Sequence, residues 1–419
     1  MAVLNKIEIS TLSNGTKIIS ENLPHVNSFS LGFWFNVGTR DENNSNNGIS
    51  HFIEHMLFKG TKRRSARRIS EEIESYGGYL NAFTSKEHTC YYTRGLSEHL
   101  PRTFSVLADM IQNPLFRESH VKREAGVIID ELHDVDDNPE ELIFDIFEEV
   151  VFKGNRLSMP VIGTERNIRK FNSDELQKFH HKKYSTGKLL IIASGSVKHN
   201  ELVKHAEKHI EKSKSMSRTR REKFVPRKAN DLILEKEFNQ VHTIIGRSTA
   251  GINSKKRNRI KVLSILLGEG SSSRLFQAVR EKLGITYHIA SFLNSYHDVS
   301  SFGVYFSTNL KQADKVLNIV LREIKKLREN KIKEKELNKV KAYLKGGTLL
   351  NLENTTNRML RIANSMMYFN RVVSIEEFLE DIQSVTADEL RKIANDVLNE
   401  DKLIKVILKS NDNKMPKVA

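Results

Sequence analysis

The chain has 419 residues, 38% of them hydrophobic and 28% charged, a formal net charge of +15 and a single cysteine. That length exceeds one ordinary core and points to two domains, while the composition excludes a disordered chain and one cysteine excludes an intrachain disulfide. The positive charge gathers in Lys212–Lys228 and in the amphipathic stretch Lys311–Lys345, without zinc-finger spacing or aromatic–basic interleaving, so no specific nucleic-acid binding is expected.

Met1–Lys6 lacks the apolar region of a secretory signal, and no run of about 18 apolar residues follows, so no membrane span is expected. Phe29–Val37 is the first clear strand. Helical periodicity marks 48–58, 65–76, 101–112, 118–136 and 200–211. Between the second and third of these, Gly77-Gly78 makes a turn and Asn81-Ala82-Phe83-Thr84 reads as a short hairpin strand. A polar, basic stretch broken by Pro226 divides the chain, giving domains 1–212 and 230–419 joined by a linker, 213–229. Phe302–Phe306 is a strand of the second half.

The halves repeat. Asp174-Glu175-Leu176 returns as Asp388-Glu389-Leu390, each opening a helix, and Leu189–Ile192 is matched after the same interval by Leu403–Leu408. Strands and helices that do not alternate strictly indicate an α+β fold of two homologous domains. Each is expected to be a mostly antiparallel sheet with helices packed on one face.

The chemistry begins in the helix at 48–58, for which Asn46-Asn47-Gly48 offers capping and Gly60 a stop. Ile49, Phe52, Ile53, Met56 and Leu57 form one core-facing stripe. His51, Glu54 and His55 fall together on the opposite face, where histidines four apart can reach one ion. H-x-x-E-H is the inverzincin pattern. A third ligand must come from elsewhere. Glu131 is the candidate, on a helix whose stripe is Val121, Ile128, Leu132 and Val135, with Glu124 two turns before it on the same face. Spacing alone favours a solvated acidic face.

Gly38-Thr39-Arg40-Asp41-Glu42, Gly48–Thr61, Arg123–Glu131, Ser272–Phe276 and Arg280–Gly284 together resemble the pitrilysin and insulin-degrading-enzyme superfamily, in its mitochondrial processing peptidase-like branch. The resemblance covers essentially the whole chain. It implies His51, His55 and Glu131 as ligands of one Zn2+ per chain, Glu54 as general base, and Glu124 as a carboxylate supporting the ligands. It further implies that Arg280 and Tyr287 help stabilise the tetrahedral intermediate. Asn81, Ala82, Phe83 and Thr84 become an edge strand to which an extended peptide adds as another strand.

The expected function is a zinc metalloendopeptidase of extended or unfolded peptides, including basic presequence-like ones, in which zinc activates water and Glu54 takes its proton. Acidic residues between Glu124 and Glu149 would attract basic peptides; a solvated acidic helix pair fits them equally well. The second half carries Lys261, Ser264 and Ile265 where ligands would stand, so it is expected to be a degenerate repeat that closes the site. The resemblance implies pairing of chains, as a homodimer or as a heterodimer with a related subunit. A non-catalytic partner subunit is the alternative function. The expected location is a bacterial-type cytoplasm, or the mitochondrial matrix if the source is eukaryotic.

Overall fold

The structure is a computed structural model that describes residues 6–184, 186–211 and 221–410. The first half runs β1 (Ile7–Thr11), β2 (Lys17–Asn22), β3 (Ser28–Phe35), α1 (Ile49–Leu57), α2 (Ala66–Glu74), β4 (Tyr79–Thr84) and β5 (Thr89–Leu96). It continues with α3 (Leu100–Gln112), α4 (Glu118–Asp137), α5 (Pro139–Val151), α6 (Glu165–Ile168), α7 (Ser173–Lys183), β6 (Leu190–Gly195) and α8 (His199–His209). The second half runs β7 (Leu232–Glu235), β8 (Val241–Ala250), α9 (Arg257–Gly268), β9 (His288–Ser295), β10 (Val299–Thr308) and α10 (Ala313–Glu329). It ends with α11 (Glu334–Asn351), α12 (Thr355–Phe369), α13 (Ile375–Ser384), α14 (Ala387–Val397) and β11 (Ile404–Lys409). The helices and strands expected from periodicity therefore occur, displaced by at most a few residues at their ends. None of the described helices is long and apolar enough to cross a membrane.

Each half builds one sheet. The first has the order β1-β2-β6-β3-β5-β4 and the second β7-β11-β8-β10-β9. Apart from β1 the two orders correspond strand for strand. In each, one pair is parallel, β2 with β6 and β7 with β11, and the remaining pairs are antiparallel. The repeated Asp-Glu-Leu triplets sit in the first turns of α7 and α14, each of which leads to the strand completing its parallel pair. Asn172 caps α7 and Thr386 caps α14, the latter in a reciprocal capping box with Glu389.

The compact units are not the contiguous pieces expected. One comprises 1–132, 159–221 and 349–372, and the other 133–158, 222–348 and 373–419. The physical reason lies on the strands. β3 from Phe29 onward, and all of β10, are buried along their length rather than at alternate positions, so both faces of each sheet need cover. In the first unit the helices of the first half cover one face. α12 covers the other, setting Met359, Ile362, Ala363 and Met366 against Ile19, Trp34, Leu190 and Ile192. In the second unit α5 does the same for its sheet, packing Ile143, Phe147 and Val151 against Ile244, Tyr305, Val406 and Leu408. Each half thus lends one helix to the sheet of the other.

Of the linker expected at 213–229, residues 213–220 lie outside the described residues, and 221–230 form neither helix nor strand. Arg221 is fixed in the first unit by a 2.7 Å ion pair with Asp41. Cys90 is buried and unpaired.

Candidate metal centre

The site is built on α1. Ile49, Phe52, Ile53, Met56 and Leu57 are all buried in the first unit's core, each contributing about 1.5–3 kcal/mol of apolar burial. This fixes the helix rotation, so His51, Glu54 and His55 are turned away from that stripe. The start of the helix differs from expectation. Its N-cap is Gly48 in the left-handed region (φ 98°), with no side-chain cap from the asparagines. A Cβ there would meet the Ile162 carbonyl oxygen at 2.7 Å, which is why the position is glycine. The cap comes instead from Glu42, whose buried carboxylate accepts from Gly48 N–H and Ser50 N–H, each at 2.8 Å, and from Asn47 Nδ2 at 3.1 Å. A carboxylate suits the positive end of a helix. Glu42 lies in a loop, where periodicity gives no sign of such a role.

Two turns of α4 face α1. Val121, Ile128 and Ile129 enter the shared core, while Leu132 and Val135 are only half-buried, so the stripe is shorter than expected. This packing brings Glu131 to the two histidines. Its Oε1 lies 3.6 Å from His51 Nε2 and its Oε2 lies 3.4 Å from His55 Nε2. The histidine rings are 4.8 Å apart between centroids. One donor atom from each of His51, His55 and Glu131 lies within 4.8 Å of the others, and among the described residues no further group of three His, Cys, Asp or Glu gathers in this way.

The donor set fits zinc. Bonds of 2.0–2.1 Å in tetrahedral geometry put neighbouring donors roughly 3.4 Å apart. Two imidazoles and one carboxylate make a common three-ligand catalytic set, which leaves a fourth position open. The Glu131 side chain keeps 45% of its surface exposed, so the site is open on that side. Glu124 is buried on the far side of His55, with Oε2 3.5 Å from Nδ1, the usual station of a carboxylate that orients a ligating imidazole. His51 Nδ1 is buried without a hydrogen-bond partner, while His55 Nδ1 has the Glu124 carboxylate at ion-pair distance. Lys59 Nζ lies 2.9 Å from Glu124 Oε1. Lys59 lies just past the end of α1, where no helical period points to it.

The charges favour one cation. Burial, and then the neighbouring His55, push His51 down to about 4 against the pull of Glu131. Burial alone would lower His55, but Glu124 and Glu131 outweigh it and push it up to about 9. Without metal these shifts leave one positive charge on the pair at neutral pH, on the imidazole between the two carboxylates, and a metal ion would take its place. Burial opposes ionisation of Glu124, yet His55 and Lys59 hold it below the usual carboxylate range. Hydrogen bonding to His55 lowers Glu131 in the same sense, against burial.

Glu54 behaves in the opposite way. Burial raises its pKa, with the Thr84 hydroxyl and His55 opposing. Thr84 closes β4, which ends the six-stranded sheet, and its Oγ1 donates to Glu54 Oε2 at 2.6 Å. Along β4, Ala82 faces the α1 core and Phe83 the α12 side. Asn81 is exposed, and its Oδ1 accepts from Ala82 N–H at 2.8 Å.

Arg280 and Tyr287 are carried by the second unit. Arg280 lies in a π-helical turn, Phe276–Glu281, with its guanidinium 5.0 Å from the centre of the Phe276 ring. Tyr287 is 82% exposed just before β9. On α9, Ser264 is buried, with its hydroxyl 2.8 Å from Glu269 Oε1 and 3.2 Å from Ser291 Oγ. The acidic stretch is not uniformly available either. Glu148 is buried, accepting from Tyr296 Oη at 2.8 Å and Ser301 Oγ at 2.9 Å.

Residues 17–165 match the family described as Insulinase (Peptidase family M16), and residues 170–344 match the Peptidase M16 inactive domain. The chain is 35% identical over 412 residues to an uncharacterized zinc protease of Streptomyces coelicolor, covering 96% of this chain and 90% of that one. It is 32% identical over 402 residues to the uncharacterized zinc protease YmxG of Bacillus subtilis, covering 96% and 98%. In fold it is similar to a protease from Helicobacter pylori, with a TM-score of 0.91 at 22% identity over 97% of this chain and 100% of that one. A structure titled as a peptidase M16 inactive domain from Pseudomonas fluorescens gives a TM-score of 0.89 at 18% identity, over 98% and 99%.

Proposed function

The chain belongs to the insulinase family of peptidases, M16, and from that premise we propose that it is a zinc metalloendopeptidase acting on extended or unfolded peptides. The observation that carries this reading is the convergence of His51, His55 and Glu131 within 4.8 Å, with Glu54 on the same helix.

His51, His55 and Glu131 would hold the ion. Zinc, when bound, supplies Lewis acidity towards water and the scissile carbonyl. The protein supplies the rest. Glu54 accepts the proton of the attacking water and returns it to the leaving amine, a role favoured by the raised proton affinity that burial gives it. Glu124 holds His55 in orientation, and Lys59 offsets the charge of Glu124.

β4, as the edge strand of its sheet, is where an extended peptide is expected to add, through backbone pairing along Asn81, Ala82, Phe83 and Thr84. The Ala82 N–H, now taken by its neighbour's amide, is a donor that an incoming carbonyl can claim. Arg280 and Tyr287 keep the role implied by resemblance, as donors to the oxyanion of the tetrahedral intermediate. Basic, presequence-like peptides are the substrate class favoured by the exposed Asp130, Asp134 and Asp137 of α4. The proposal carries with it a processing-peptidase-like activity, a homodimer and a bacterial-type cytoplasmic location.

Mass spectrometry of a basic, unstructured peptide incubated with the protein tests this reading. Internal cuts that vanish with a chelator and return with zinc are expected. Cuts confined to the peptide ends would remove the endopeptidase assignment, and zinc uptake without any cutting would make the chain a non-catalytic subunit.

A further inference from the structure

The contact between β4 and α1 carries more than packing. Thr84 stands at the end of the edge strand, paired with Thr89 of β5, and its hydroxyl donates to Glu54 Oε2 at 2.6 Å. A threonine has few χ1 states, and here its backbone is held by the ladder, so the hydroxyl is a donor of fixed position. A glutamate side chain on a helix has three torsions to settle. With Oε2 held from the strand, Oε1 is the oxygen left to meet water.

We propose that Thr84 is a positioning residue for peptide hydrolysis, holding Glu54 through Oε2 so that Oε1 alone carries the proton. The proposal rests on the reading of Glu54 as general base. Oε1 takes a proton from water as the new C–O bond forms at the scissile carbonyl. The same oxygen then gives that proton to the departing nitrogen as the C–N bond breaks. Thr84 keeps its own proton throughout. Because Thr84 also ends the strand on which peptide is expected to add, substrate alignment and base alignment meet in one residue, the first through its backbone and the second through its side chain.

The variants Thr84→Val and Thr84→Ser separate the hydroxyl from the shape it occupies. Valine keeps the branch and removes the donor, and serine keeps the donor. Thr84→Val is expected to lower kcat about 10–100-fold with KM changed by no more than about twofold, since misplacing a catalytic group acts on turnover rather than binding. Thr84→Ser is expected to stay within about threefold of wild type. Zinc content should be unchanged in both. Binding of an intact basic peptide should be equal in Glu54→Gln and in Glu54→Gln/Thr84→Val.

Wild-type kcat in the valine variant, an effect confined to KM, loss of zinc, or a serine variant as slow as the valine one would each overturn the proposal. If Glu54→Gln cleaves as wild type does, the general-base reading falls and the proposal with it. If only Thr84→Val matches wild type, the proposal falls alone.

Discussion

His51 Nε2 and Glu131 Oε1 lie 3.6 Å apart, on two helices joined through one core. Nothing along either helix fixes that distance; the common core to which α1 gives Phe52 and Ile53, and α4 gives Ile128 and Ile129, does. Glu131→Gln keeps the size and removes the charge. It is expected to weaken zinc binding by more than the roughly 10–100-fold that loss of an outer partner costs. Competition with a chromophoric chelator measures this, and unchanged affinity would remove Glu131 from the ligand set.

Glu42 carries the start of α1. Glu42→Ala leaves Gly48 N–H, Ser50 N–H and Asn47 Nδ2 without their acceptor in a buried place. The expected cost is about 2–4 kcal/mol, from orphaned donors and a lost charge at a helix start. The chain has one tryptophan, Trp34, which lies in the first unit, so urea unfolding followed by its fluorescence reads that unit directly. An unshifted midpoint would show that the cap is dispensable.

Met359, from the second half of the sequence, is wholly buried beside Trp34. Met359→Ala should destabilise the first unit by about 2–5 kcal/mol, the usual range for emptying such a site. The same fluorescence transition should move to lower urea. A midpoint equal to wild type would mean that α12 adds nothing to the sheet it covers.

Acid should weaken the anchor of α2. Arg64 Nε and Arg68 Nε donate to Glu72 at 3.1 and 2.7 Å. Burial works to raise Glu72, but the two arginines outweigh it and hold the group below its ordinary value of 4.5. A carboxylate lowered in the folded state stabilises the fold above its unfolded pKa, and that stabilisation is lost as pH falls through the folded one. Glu72→Gln should therefore cost about 1–3 kcal/mol near neutrality, with its gap from wild type closing below pH 4.5. A gap independent of pH would contradict the pairing.

The sequence made α1 legible because a single helix period places Ile49, Phe52, Ile53, Met56 and Leu57 on one side and His51, Glu54 and His55 on another. The duplication was legible for a similar reason, since local strand and helix patterns recur at a fixed interval. Glu131 was not readable in this way. A carboxylate on a helix face looks the same whether it meets solvent or a histidine, and only the longer resemblance separated the two. The exchange of α5 and α12 was hidden for a related reason. Apolar stripes such as Met359-Ile362-Ala363-Met366 show that a helix is buried, but not which sheet receives it. Glu42 acts from a loop and Thr84 from a strand end, and neither leaves a periodic trace.

The most direct measurement is zinc content and peptide cleavage in one preparation of Glu54→Gln. Glu54 stands beside the proposed ligands without being one of them. Zinc at the wild-type level, one ion per chain, with cleavage abolished, is the expected result. Cleavage at the wild-type rate, or a protein that binds no zinc in either form, would contradict it.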